Sequence, residues 1–167
     1  MKIHFAAAVL LVASGTSAGA ACAPEDLFLS CKIAGKSRWL EVCVEQGNIV
    51  YRYGKQGAPE LELREHPANV AYMPWPGIGG TIWEEVEFAN GEYGYLVHGA
   101  IDKQLAVSDA PGAVSGGVEV LKGGQSVASL SCDPAQVDFP WGDALMRAKE
   151  AVGMTWDPGE QMWQHGQ

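Results

Sequence analysis

The sequence predicts a mainly β fold, a small antiparallel β-barrel or sandwich of about eight strands in meander order with one C-terminal α-helix. Three observations carry that reading. Short runs of alternating apolar and polar residues recur from Leu27 to Leu130, the period of half-buried strands. Clusters of Gly, Pro, Asn, Asp and Ser part them at roughly ten-residue intervals, as hairpins require. Only beyond Cys132 does the apolar period lengthen to a helical one. At 167 residues the chain suits one domain with a single core.

The N-terminus stands apart. Lys2, the apolar run 5–12 and Ala18-Gly19-Ala20 compose a secretory signal peptide over residues 1–20, and the run is too short to span a bilayer. A disulfide-tied β domain over 21–133 follows. Leu27–Ile33 is its first strand, Gly35-Lys36-Ser37 a turn, and Trp39–Glu45 the second strand, with Leu40, Val42 and Val44 on one face. Residues 49–53 and 60–64 continue the meander. Too many breakers crowd 65–80 for a central strand, although 70–73 suits a short edge strand.

Residues 82–99 form the central hairpin about Asn90-Gly91, a dipeptide that tolerates the positive φ of a tight hairpin turn. A two-residue loop there sets Phe88 opposite Tyr93, Val86 opposite Tyr95, Glu85 opposite Leu96 and Trp83 opposite His98. A modest strand is expected at 104–107 and a turn at Asp109-Ala110-Pro111-Gly112. In the last hairpin a three-residue loop at Gly123-Gly124 sets Val118 across from Leu130 and Val120 across from Ala128. The helix lies within 134–153: Trp141, Ala144, Leu145, Ala148 and Val152 share a face, Asp143 precedes Arg147 by four, and Gly153 suits the C-terminal cap. Residues 154–167, with Trp156 and Trp163, are expected to be a flexible tail without regular structure.

Cys22, Cys31, Cys43 and Cys132 remain after cleavage, an even number in an exported chain, so disulfides are expected. A first hairpin centred on Ser37 would bring Cys31 opposite Cys43, which leaves Cys22 for Cys132. Lipidation of Cys22 is disfavoured because Gly19 stands where a lipobox carries Leu; the exported chain should start near Ala21. The predicted location is periplasmic or secreted.

Net charge is -9, and removing Lys2 with the signal peptide takes it to -10. Such a balance excludes a nucleic-acid surface and suits steering of a basic partner. No CxxC pair marks a zinc site, Gly77-Ile78-Gly79-Gly80 lacks the Lys-Ser or Lys-Thr of a phosphate loop, and neither metal nor cofactor is expected. Catalysis lacks a nucleophile: there is no GxSxG, and an imidazole near a carboxylate, His98 near Glu85, is only the start of a general-base arrangement. Glu85 and Glu87 share a face as a solvated stripe. Glu84 falls on the buried face and needs a partner, for which Arg52 and Lys103 are the candidates.

Several pieces of the chain carry a resemblance: Tyr51-Arg52-Tyr53-Gly54 through Gly57, Pro59 and Glu60-Leu61-Glu62-Leu63; Asn90-Gly91 with Tyr93 and Tyr95; and Gly117-Val118, Val120, Val127-Ala128 and Leu130-Ser131-Cys132. Together they resemble a set of small exported bacterial β-proteins. In general plan these are similar to the periplasmic lysozyme-inhibitor barrels. The likeness is architectural, since the Ser-Gly and Tyr/Lys-Gly loop motifs with which those inhibitors touch lysozyme are absent from this sequence. It implies an exported, compact barrel of that plan. The chain as a whole reads as an exported, non-enzymatic binding module for a protein partner such as a cell-wall hydrolase, and the breaker-rich loop 73–80 with the outer hairpin face is expected to bring Trp75, Trp83, Glu85 and His98 into one aromatic and acidic binding patch. The alternatives are an envelope accessory protein docking through the helix and tail, and an enzyme of unknown chemistry.

Overall fold

The computed structural model describes residues 22–108 and 110–166; the expected signal peptide and Asp109 of the expected turn lie outside them. A 3-10 turn at Pro24–Asp26 leads into β1 (Leu27–Ile33), β2 (Trp39–Glu45), β3 (Asn48–Lys55) and β4 (Ala58–Glu65). Then come β5 (Ala71–Met73), β6 (Thr81–Asn90), β7 (Tyr93–Asp102), the short helix α1 (Lys103–Val107), β8 (Val114–Lys122) and β9 (Gln125–Asp138). Helix α2 (Ala144–Ala151) and a hairpin of β10 (Met154–Asp157) and β11 (Met162–His165) complete the chain.

Nine strands make one antiparallel sheet in the order β4-β3-β2-β1-β9-β8-β7-β6-β5. Two meanders, β1 to β4 and β5 to β9, run outward from a shared seam where β1 pairs β9. The sheet curls into a half-barrel until β4 nears β6, so the expected meander architecture is present. Its concave face buries Leu29, Ile33, Leu40, Val42, Tyr51, Val86, Phe88 and Val97. Strand β6 shows why: Ile82, Glu84, Val86 and Phe88 are buried while Trp83, Glu85 and Glu87 between them are half-buried on the convex side.

Register corrects several expectations. The β6–β7 loop is Gly91-Glu92, with Asn90 paired to Tyr93 inside the ladder, Phe88 opposite Tyr95 and Glu85 opposite His98. Gly91 takes φ +63° at the first loop position, where a type II′ turn wants glycine. The last hairpin keeps both expected pairs, Val118 with Leu130 and Val120 with Ala128, but a bulge and a Gly123-Gly124 loop replace the three-residue turn.

The disulfides are Cys22–Cys43 and Cys31–Cys132, not Cys31–Cys43 and Cys22–Cys132. In β1 and β2, Cys31 lies opposite Leu40, three residues short of Cys43. An odd offset changes faces: Cys31 joins the core, while Cys43 shares the convex side with Arg52, whose Nη1 lies 4.0 Å from its sulfur.

Residues 103–107 are helical rather than extended, because the Asp102 carboxylate accepts from the N–H groups of Gln104 and Leu105 at 2.9 and 3.0 Å. Strand β9 does not stop at Cys132. It pairs β8 first and β1 afterwards, with Pro134 carried in the irregularity between Cys132 and Val137. The helix is accordingly confined to 144–151.

The tail is not structureless. Trp163 donates from Nε1 to the Tyr72 carbonyl at 2.8 Å, and Lys149 of α2 donates from Nζ to the Val70 carbonyl at 2.6 Å. Both carbonyls belong to the edge strand β5 or the residue before it. The C-terminal segment thus covers with side chains a sheet edge that no further strand covers.

Candidate functional site

The segment 74–80 carries Trp75 to one end of the sheet. Its indole Nε1 donates to the Ile78 carbonyl at 3.0 Å, and the Lys103 ammonium stands 4.1 Å from the ring centroid while donating to the Gly79 carbonyl at 2.9 Å. The Lys103 backbone N–H donates to Gly80 at 3.1 Å, so α1 and this loop hold each other. Against Trp75 lies Trp141, edge to face, with centroids 5.8 Å apart at 80°. Trp141 is therefore not on the helix face expected for it. It precedes α2 at φ +47°, a backbone region that bulky residues rarely enter, and its side chain is 43% exposed. Ile78, whose carbonyl accepts from the Trp75 indole, is 74% exposed, and Leu105 and Val107 of α1 are exposed as well.

The other expected patch residues lie elsewhere. Trp83, Glu85 and His98 sit on the convex face of β6 and β7, with Glu85 directly opposite His98 and Trp83 opposite Ala100. Among the described residues no hydrogen bond or ion pair joins Glu85 to His98. The His98 ring instead lies over Gly117, where a Cβ would come within 3.2 Å of Cε1. Trp75 pairs with Trp141 rather than with Trp83, so the single patch divides into an end and a face.

Glu84 is buried, as its strand face requires, but neither expected cation serves it. Arg52 belongs to a convex network with Glu41, Glu45 and Glu62, and Lys103 to Trp75. Burial pushes the Glu84 carboxyl up to about 7, although the Tyr72 hydroxyl and the Trp75 backbone N–H hydrogen-bond to it and pull the other way. Its Oε2 has no hydrogen-bond partner among the described residues. Sequence reasoning overlooked Lys149, which is 2% exposed, stands over the Trp163 ring at 5.2 Å and has its pKa pulled down by burial. Its spacing was the available signal, four residues after Leu145 and next to Ala148 on the apolar side of the helix.

Cys22, Glu41 and Cys43 lie close enough to hold a metal, but the two sulfurs are bonded to each other and offer no thiolate. A shallow groove of about 400 Å³ runs between α2 and the β2–β3 turn, lined by Val44, Ala144, Ala148 and Val152 with Arg147 and Asp26 at its rim. No protein-family model matches this chain, and neither a curated protein nor a solved structure does.

Proposed function

We propose that this protein is an exported, non-enzymatic binding module whose working surface is the Trp75–Trp141 edge, and that its partner is a basic cell-wall hydrolase such as lysozyme. The observation that carries the proposal is Trp141, a large aromatic exposed to solvent in a left-handed backbone conformation. That conformation costs on the order of 1 to 3 kcal/mol, and strain of this kind collects at functional sites. Exposed Trp is also the residue type most often found at interface hot spots. Trp83, Glu85 and His98 stand apart from the edge, on the convex face.

Export is supported by two disulfides, which form and persist in oxidising compartments, and by the signal peptide read at residues 1–20. Among the described residues no helix is long and apolar enough to cross a membrane. The net charge of -9 suits steering toward a basic hydrolase. The groove along α2 favours a second reading, an envelope accessory protein docked through its helix. Trp163 supports that reading less, since it is committed to Tyr72.

Muramidase activity followed with rising amounts of the exported chain tests the proposal. Inhibition is expected, and Trp141→Ala should weaken it about 30-fold, the scale of a hot-spot residue. Lysozyme activity unchanged by excess protein, or full inhibition by the variant, sinks the reading.

A further inference from the structure

Lys103 occupies a position that a partner's cation would also occupy. We propose that the face of Trp75 and the Gly79 carbonyl form a receptor for a Lys or Arg side chain of a basic protein partner, and that Lys103 is its occupant in the free protein. The inference rests on the Trp75–Trp141 edge being the working surface, and it names the chemistry that surface takes.

The receptor has two components, both visible in how Lys103 is held. The ammonium is 4.1 Å from the indole centroid, within reach of the ring quadrupole, and 2.9 Å from a carbonyl oxygen. Among the described residues no carboxylate pairs with it, and neighbouring Asp102 is taken up by the Gln104 and Leu105 N–H groups. In a chain with 20 Asp and Glu against 11 Lys and Arg, this lysine is matched to an aromatic face instead of an acid.

The receptor is anchored from behind by a buried carboxyl. The Trp75 backbone N–H donates to the Glu84 carboxyl, whose Oε2 is buried without a partner. Beside the receptor, Ile78, whose carbonyl accepts from the Trp75 indole, and Trp141 are exposed and offer apolar surface to the aliphatic stem of an incoming Lys or Arg. Lys103 can leave by rotating its own side chain, because its backbone is fixed separately through Gly80 and the Asp102 cap.

The test follows the Trp75 indole N–H by NMR in the exported chain, both disulfides formed. The probes are N-acetyl-Gly-Arg-Gly-amide, its Lys counterpart and its norleucine counterpart. Lys103→Ala should bind both cationic peptides about three-fold more tightly than the parent, the scale of one exposed cation–π contact, with Arg at least equal to Lys. Norleucine should give no saturable shift. Lys103→Met, which keeps the stem and drops the charge, should behave as Lys103→Ala does and guards against a loosened loop.

Equal or weaker cation binding by both variants, or saturation by norleucine, overturns the receptor. The lysozyme assay reads separately: inhibition without cation binding leaves the hydrolase reading standing and removes this inference, and cation binding without inhibition does the reverse.

Discussion

On the convex side of β2, β3 and β4, Glu41, Glu45 and Glu62 surround the Arg52 guanidinium at 3.1, 2.7 and 2.8 Å, whereas inside the sheet Glu84 has no cation beside it among the described residues. The titrations diverge accordingly. Burial alone would raise Glu45, but hydrogen bonds from Arg52 and Arg64 outweigh it and hold the carboxyl below the usual range. Glu62 is lowered chiefly by the hydrogen bond from Arg52. Glu84 meets only neutral donors, and burial prevails. Lys149, also a buried ionisable side chain, donates to a backbone carbonyl rather than to Glu84. Long side chains can reach across strands on the outside of a curled sheet, and inside it the packed core leaves them no path.

Each region also holds a disulfide, and these give the largest expected effect. Cys31–Cys132 lies in the core and spans 101 residues, while Cys22–Cys43 lies beside Arg52 and spans 21. Loop-closure entropy assigns roughly 4.7 kcal/mol to the first and roughly 3.4 kcal/mol to the second. Paired Cys→Ala variants compared by urea unfolding should keep that order. A larger loss from Cys22–Cys43 would mean that the convex side, not the core, ties the fold together.

Glu84→Gln sharpens the contrast in charge. A carboxyl raised from 4.5 to about 7 lends stability that is full below the unfolded value and is lost as pH climbs through 7. The folded state holds the proton over that window and the unfolded chain does not. The parent should therefore lose about 3 kcal/mol across it, and the variant should be more stable than the parent by about that much at pH 8 and nearly equal to it near pH 4. Glu45 and Glu62 act in the opposite sense, since their stabilisation is present above the unfolded value and fades as acid protonates them. A parent stability curve flat from pH 5 to 8 would contradict the buried, unpaired state of Glu84.

Arg52→Met removes the centre of the convex network and leaves three carboxylates facing one another with Arg64 alone to balance them. A cost of about 2 kcal/mol at pH 7 is expected, between exposed and buried ion pairs, and it should shrink once acid neutralises the glutamates. A loss that persists undiminished at pH 3 would assign the role of Arg52 to packing of its stem.

The sequence carried the strands well because alternation survives small errors of pairing. The central hairpin is displaced from its expected register by an even step, so Glu84, Val86 and Phe88 stay inside although every partner changes. The first hairpin slips by an odd one, and that alone puts Cys31 and Cys43 on opposite faces and so changes the disulfides. The Trp75–Trp141 edge was only half legible. Trp75 stood out between Pro74 and Pro76, but Trp141 fits the helical period of Leu145 and Ala148 well enough to be drawn into it. Pro140 and Gly142 on either side were the contrary signal. Lys149 and Trp163 could not be placed at all, because their acceptors, Val70 and Tyr72, lie 79 and 91 residues away and are backbone atoms that no side-chain pattern reports.

The smallest expected effect concerns the two edges of the sheet. Strand β5 is covered by Lys149 and Trp163, whereas β4 is left open with Glu60, Glu62 and Arg64 along it and Pro59 near its start. The Arg38–Glu60 pair on that edge measures 2.8 Å but is widely exposed, a setting in which ion pairs contribute little. Charges and proline on an open strand chiefly discourage pairing with another chain. Glu60→Thr should therefore change unfolding free energy by no more than about 0.5 kcal/mol while raising the fraction of dimer and larger species seen by light scattering at high concentration. A clear loss of stability would make the pair structural, and unchanged association would mean that Pro59 and the remaining charges suffice to keep the edge apart.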